Sequence, residues 1–261
     1  MLEFSDYDSG DIMNRMLSFL FPIIALLIFL EAISRSGIVN ITLFPPPTVW
    51  GLAFLEMAKN GELLRDVATS LWRVIAGLAI GSSIGILAGF ATGRIKMLDN
   101  MLSPILNILR AFPPVAIIPL VILWFGIGES AKLFSISFAV FFPVWISSHM
   151  GASNIPHNYL RAAKSLSCGA GRKFIKVIFP AAMPFIITGV RIGISIAFIL
   201  VFVAELAGAS SGIGYQIALS QSIYRIDRMI AALIVLGTLG AFTDFLFTST
   251  VRKYFPWVSR V

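Results

Sequence analysis

Long apolar runs separated by short polar breaks dominate the chain, and six windows are poor enough in charge to predict membrane helices. They cover residues 16–34, 74–93, 111–128, 133–150, 185–204 and 229–251. Each is close to the ~20 apolar residues that a helix needs to cross the hydrocarbon layer. The runs are continuously apolar, whereas barrel strands alternate over about ten residues, so helices are the consistent solution. The expected fold class is an all-α membrane protein, a polytopic bundle of about six transmembrane helices. It leaves a segment 1–15 before the bundle and a tail 252–261 after it.

Two inter-span segments are patterned. After Pro45, Pro46 and Pro47, Thr48 is placed to cap a short helix running to Lys59, with Val49, Leu52, Ala53 and Met57 on one side as in an interfacial helix. The segment 151–184 is the longest and most basic excursion on its side.

Composition sharpens this picture. With 57% hydrophobic and 13% charged residues in a chain of 261, little sequence remains for an ATPase or other soluble domain. The net charge of +7 comes from Lys and Arg scattered between apolar blocks, which argues against nucleic acid as a partner. Counting basic residues in alternating loops gives 12 on the side of the termini and 7 opposite, so both termini are expected in the cytoplasm. The acidic start, with Glu3, Asp6, Asp8 and Asp11, lacks the basic region of a cleavable signal and predicts a retained N-terminus. Cys168 has no second cysteine to pair with, and no Cys/His cluster suggests a metal site.

Inside the spans, Gly77, Gly81, Gly85, Gly89 and Gly93 recur every four residues. They form a groove for close helix packing or, alternatively, a path lining. Gly189 and Gly193 repeat the device. Arg191 and Asp244 are charges at matched depth, which predicts an ion pair or shared polar network; the alternative is that Arg191 snorkels to the inner interface. Glu205 and Glu31 fall at outer ends, either solvated or facing substrate. Pro113 and Pro114 suit a first helical turn, while Pro119 is expected to bend the third span, for packing or to bound a cavity. Pro113, Pro114, Pro119, Arg191, Glu205 and Asp244 are the candidates for the pathway or its gating.

No Walker pattern, HExxH or GxSxG is present, and His149 and His157 are expected as contacts near the inner boundary rather than catalysts. An integral membrane enzyme is thereby disfavoured. A secondary transporter or channel is the other alternative, and no repeat between the halves supports it.

Within 151–184, the stretch after Pro156 predicts a short helix with Leu160, Ala163 and Leu166 on one face, broken by Gly169 and Gly171. Such a projecting knob suits a groove on another protein. Arg161-Ala-Ala-Lys-Ser-Leu-Ser167, nine residues, then Val177-Ile-Phe-Pro180 resembles the EAA loop of bacterial ABC importer permeases. Ala162, Ala163 and Pro180 match that pattern outright; Arg161 replaces its Glu, Ser167 its Gly and Phe179 its Leu. Ser70-Leu-Trp-Arg-Val74, Thr188-Gly-Val-Arg-Ile-Gly193 and Ala204-Glu-Leu206 with Gly212-Ile-Gly-Tyr215 are similar to the sulfonate, taurine, nitrate and bicarbonate branch.

The resemblance implies a type I importer permease fold in the bacterial inner membrane. It also implies a homodimer, two cytoplasmic ABC ATPase subunits docked on the EAA helices, an outer substrate-binding protein, and a small anion or organic solute as cargo. Leu160, Arg161, Ala162, Ala163, Lys164, Ser165, Leu166, Ser167 and Gly169 then form the coupling site. The chain itself would carry no cofactor, with ATP and Mg in the partner ATPase. A bulky charged residue at Ala163 is expected to abolish docking while leaving insertion intact.

Overall fold

The computed structural model describes residues 9–167 and 169–258, with side chains from residue 21 onward. Cys168, residues 1–8 of the expected N-terminal segment and Ser259, Arg260 and Val261 of the expected tail lie outside the described residues. Helices follow in the order α1 (Ser9–Arg35), α2 (Pro47–Lys59), α3 (Glu62–Arg94), α4 (Lys96–Leu109), α5 (Pro114–Phe125) and α6 (Glu129–Ser153). After these come α7 (His157–Ser165), α8 (Ala170–Lys173), a π-turn (Phe174–Ile178), α9 (Phe179–Leu206), α10 (Ile213–Ser222) and α11 (Ile226–Tyr254).

The core is a three-helix layer of α3, α6 and α9. Val74, Ile136, Val140, Val144, Ile194, Ala197 and Val201 are buried between them. The four-residue glycine row sets their spacing. A Cβ at Gly77 would strike Ile136, and one at Gly81 would lie 2.5 Å from the Ser137 carbonyl oxygen. At Gly85, Gly89 and Gly93 it would meet the carbonyls of Phe141, Trp145 and His149. Backbone therefore lies against backbone, as small residues allow between membrane helices. Residues 77 to 93 meet 136 to 152 in the same order, so α3 and α6 run parallel. Gly151 meets Ala182, and Gly189 meets Ser147 and the Pro143 carbonyl, so α9 runs antiparallel to both.

Two parallel helices in succession require a return between them, and this is where the structure departs from the expected span 111–128. The return is a broken pair, α4 and α5, bent by 94°. α4 was not anticipated. Pro113 and Pro114 explain the break: each lacks an N–H, and Pro113 disfavours helix at the residue before it. Helix therefore stops at Leu109 and restarts at Pro114. Pro119 sits within an uninterrupted α5, so the bend expected there lies upstream instead. Gly126, at φ 74°, ends α5 in a conformation that favours glycine.

Four helices are long and apolar enough to cross a membrane singly: Glu62–Arg94, Glu129–Ser153, Ala170–Leu206 and Ile226–Tyr254. The bent pair can serve as a fifth among the described residues. The 37-residue helix Ala170–Leu206 starts far earlier than the expected 185. Its π-turn ends at Ile178, two residues before Pro180, whose missing N–H and bulky ring do not fit regular α-helical bonding.

The short α2 starts at Pro47 with no side-chain cap. Thr48 instead donates its hydroxyl to Glu31 Oε1 at 2.9 Å, and Glu31 also accepts from Arg35 at 2.6 Å, so Glu31 is partnered within the chain. α2 buries Ala53 and Met57, and Met57 packs with Ile213, Ile217 and Ala232 of α10 and α11. Leu52, expected on that face, is 65% exposed.

Candidate functional sites at the two ends and inside the bundle

At the end of the core where α3 and α6 finish, α7 lies across the apolar cluster of Phe90, Ala152, Ile155, Ile178, Ala182 and Ile186, with Leu160 packed against it. Ala163 is buried at 3% exposure, so it faces its own chain. Arg161, Ala162, Lys164, Ser165, Ser167 and Gly169 are exposed, and Leu166 is 77% exposed. Leu166 was expected beside Leu160 and Ala163, but the helix ends at Ser165 and the turn that follows swings it outward. Ser167 adopts φ 50°, a left-handed conformation that suits glycine.

At the opposite end, a buried polar cluster joins α3, α6, α9 and the loop before α10. Arg73 is 1% exposed and donates to Glu205 Oε1 and to the Ser211 carbonyl, both at 2.7 Å. Through Nε it donates to Glu129 Oε2 at 2.7 Å, and its Nη2 pairs with Glu129 Oε1. Glu205 also accepts from Ser70 Oγ at 2.8 Å and from the Gly214 N–H at 2.8 Å. Asp66 accepts from the Gly212 N–H and from Gln216 Nε2, each at 2.7 Å. Gly212 has φ 116°, and a Cβ there would collide with the Glu205 carboxylate. The loop is thus stitched to α3 and α9 by charge-assisted bonds, the strong class.

Within the bundle, Arg191 of α9 donates from Nε and Nη2 to the two carboxylate oxygens of Asp244 on α11, both at 2.8 Å. The side chains are 55% and 32% exposed.

Among the described residues, these three features are the polar and charged arrangements that the sequence and packing single out. A family model described as "Binding-protein-dependent transport system inner membrane component" matches residues 81–255. The chain belongs to that family. The permease is 34% identical over 87% of its length to the putative aliphatic sulfonates transport permease protein SsuC of Bacillus subtilis, covering 82% of that protein. It is 31% identical over 77% of its length to the taurine transport system permease protein TauC of Escherichia coli, covering 74% of it. It thus lies in the branch of ABC importer permeases that holds these proteins.

Among solved structures, the permease resembles the MetNI methionine ABC transporter in an inward-facing conformation. The TM-score is 0.58 at 20% identity, over 72% of this chain and 95% of that one. An amino acid ABC transporter with histidines matches with a TM-score of 0.61 at 18% identity, over 80% and 98% of the two chains. These likenesses give the permease its type I importer fold.

The structure distributes the expected site residues over separate places. Those of the coupling stretch share one end. Arg191 and Asp244 meet, as their matched depth suggested. Glu205 is 1% exposed within the polar cluster, so the expectation that it is solvated or faces substrate is corrected: Arg73, Ser70 and Gly214 occupy its carboxylate. Pro113 and Pro119 are exposed around the break in the return. Arg73, Asp66, Ser70 and Gln216 are not among the site residues expected from the sequence, and Arg73 lies inside α3. Their signal was present: Asp66, Ser70, Arg73 and Gly77 advance by 4, 3 and 4 residues, continuing the glycine stripe as a polar one. His149 is inside α6, with Nδ1 3.0 Å from Thr92 Oγ1, which also accepts from Trp145 Nε1.

Proposed function

We propose that two copies of this permease form the translocation pathway of an importer for a small oxyanion or organic solute, with sulfonates and taurine as the leading cargo. Nitrate and bicarbonate remain in the class through the sequence resemblance. In this reading α7 is the coupling helix. It docks into a groove of a separate cytoplasmic ATPase, which binds ATP and Mg and performs the hydrolysis, while this chain holds no cofactor. The polar-cluster end then faces outward and receives a substrate-binding protein, and both termini lie in the cytoplasm. The twelve-to-seven bias in basic residues supports this orientation.

The observation that carries the reading is how α7 is seated. Ala163 and Leu160 anchor it to the membrane helices, while Arg161, Ala162, Ser165 and Leu166 are turned toward solvent, a short unpartnered surface on the EAA-like stretch. A push on α7 passes through Ile155, Ile178 and Ala182 into α6 and α9, whose backbones are in contact, so they shift as a rigid pair. The expectation for Ala163 changes accordingly. A bulky charge there would unseat α7 from its own chain as well as disturb docking.

The discriminating variant is Leu166→Asp. It should lower ATPase co-purification about tenfold, the scale of one lost apolar anchor, while leaving membrane insertion and thermal stability unchanged. Undiminished ATPase retention, or ATP-independent uptake driven by an ion gradient, would overturn the reading.

A further inference from the structure

Arg191 is the sole charge in residues 177–204 of the π-turn and α9, and residues 229–243 and 245–251 of α11 are uncharged on either side of Asp244. At 1.5 Å per residue, Arg191 lies about 22 Å along the helix from Lys176 and about 21 Å from Glu205. The pair is therefore far from both polar ends of α9. It is nevertheless half-exposed, with 55% of the Arg191 side chain and 32% of the Asp244 side chain open. Ionised side chains at such depth face water or protein, not hydrocarbon. The face of α9 that carries Arg191 continues the theme: Thr188 and Ser195, one turn to either side, are also exposed. Ser195 makes no hydrogen bond through its hydroxyl among the described residues, whereas Thr188 returns its own to the Pro184 carbonyl at 2.9 Å.

The hydrogen bonding is lopsided. A guanidinium presents five N–H groups on two usable edges. Asp244 occupies the Nε/Nη2 edge, and the Nη1/Nη2 edge has no partner among the described residues. Both Asp244 oxygens, by contrast, accept from Arg191. The pair thus offers donors outward. A second planar fork is the geometry that matches two oxygens of a carboxylate, sulfonate or similar oxyanion.

We infer that Arg191, partly neutralised by Asp244, is an oxyanion station on the water-filled face of the transport path, formed by the open Nη1/Nη2 edge. This rests on the permease reading and adds which face lines the path and what chemistry it passes. Asp244 has two effects. It orients the guanidinium so that the free edge faces the path, and it offsets the positive charge so that an anion is held weakly enough to move on, as conduction requires.

The test uses the assembled transporter in membranes, with Cys168→Ser as background and Ser195→Cys as the reporter. Two thiol reagents of similar size are compared: sulfonatoethyl methanethiosulfonate, itself a sulfonate anion, and its trimethylammonium cation analogue. The ratio of their rates, normalised to free thiol, reads the local preference. Ser195→Cys should react with the anionic reagent in preference to the cation. Arg191→Gln should lower that ratio about tenfold, and Asp244→Asn should raise it several-fold, as expected for one unit of charge near a confined aqueous site. Arg191→Lys, which keeps the charge but not the fork, should give an intermediate ratio and covers the case in which Arg191→Gln fails to assemble.

A thiol at 195 inert to both reagents would overturn the proposal by showing that the face is covered by lipid or by the second copy. A ratio unmoved by Arg191→Gln or Arg191→Lys would overturn it equally. ATP-dependent uptake by the Cys168→Ser parent is measured alongside, so failure of the permease reading is separable from failure of this one.

Discussion

At one end of the core Arg73, Glu205, Asp66 and Gln216 are sealed from solvent and tie three helices and a loop together. At the other end α7 is anchored chiefly through Ala163 and Leu160 and leaves most of its surface open. The two ends belong to the same helices, so the contrast is one of side chains. Every polar group of the first end that the argument uses has its partner inside the chain. At the second end Arg161, Ala162 and Leu166 are exposed, as a surface completed by another molecule would be under the proposed function. Under the proposed function, the difference separates a part that must keep its shape from a part through which force would arrive.

The largest effect should come from breaking the sealed end. Glu205→Ala leaves the buried Arg73 with one carboxylate instead of two and frees the N–H of Gly214, a loss of about 3–5 kcal/mol for a broken buried pair. Thermal unfolding in detergent and yield should both fall sharply. An unchanged midpoint would mean that the cluster is wetter and looser than described. Next comes the link between the ends. Gly89→Leu forces α3 away from the Trp145 carbonyl and Ser148, and overpacking of this kind costs about 1–3 kcal/mol or more. Its test is a lowered midpoint together with uptake that falls more than ATP hydrolysis, since the push on α7 is no longer passed on. Equal losses of both would break the claim that the glycine seam carries the motion.

How much of this was legible in the chain depended on the kind of signal. The glycine row and the Arg191–Asp244 pairing followed from spacing and depth, because helix periodicity translates directly into faces. The EAA-like stretch was found, but its inward and outward faces were only half right: Leu166 lies beyond the last helical residue, where a 3.6-residue period no longer applies. The broken return was read as a single span because hydropathy reports burial in lipid and is blind to direction; only the parallel register of α3 and α6 makes α4 and α5 necessary. The polar cluster was hidden because Arg73 and Glu205 each looked like an end charge, and their meeting depends on two helices 132 residues apart in sequence.

Smaller effects sharpen the open end. Ser167→Gly relieves a left-handed φ of 50° and should stabilise the α7 turn by about 1 kcal/mol, seen as slower hydrogen exchange of that segment. No gain would place the turn under no strain. The smallest effect concerns pH on the polar-cluster side, where hydrogen bonds from Arg228 and then Arg225 hold the exposed Glu56 carboxyl below its ordinary value. A depressed pKa contributes stability above the unfolded value and loses it as pH falls through the folded one. Glu56→Gln should therefore lower stability slightly at neutral pH, and its difference from the parent should vanish as pH falls through the lowered Glu56 value, which makes the acid limb of the profile shallower.

The account turns on the outward face of α7 meeting an ATPase. Cysteines at Ala162 and Leu166, introduced singly into a Cys168→Ser background, measure this directly by cross-linking in native membranes. The expected result is a covalent adduct with the ATPase subunit from both positions and none from a cysteine at Trp72, near the other end. Absence of any adduct, or labelling of position 166 by an impermeant reagent added outside intact cells, would contradict it.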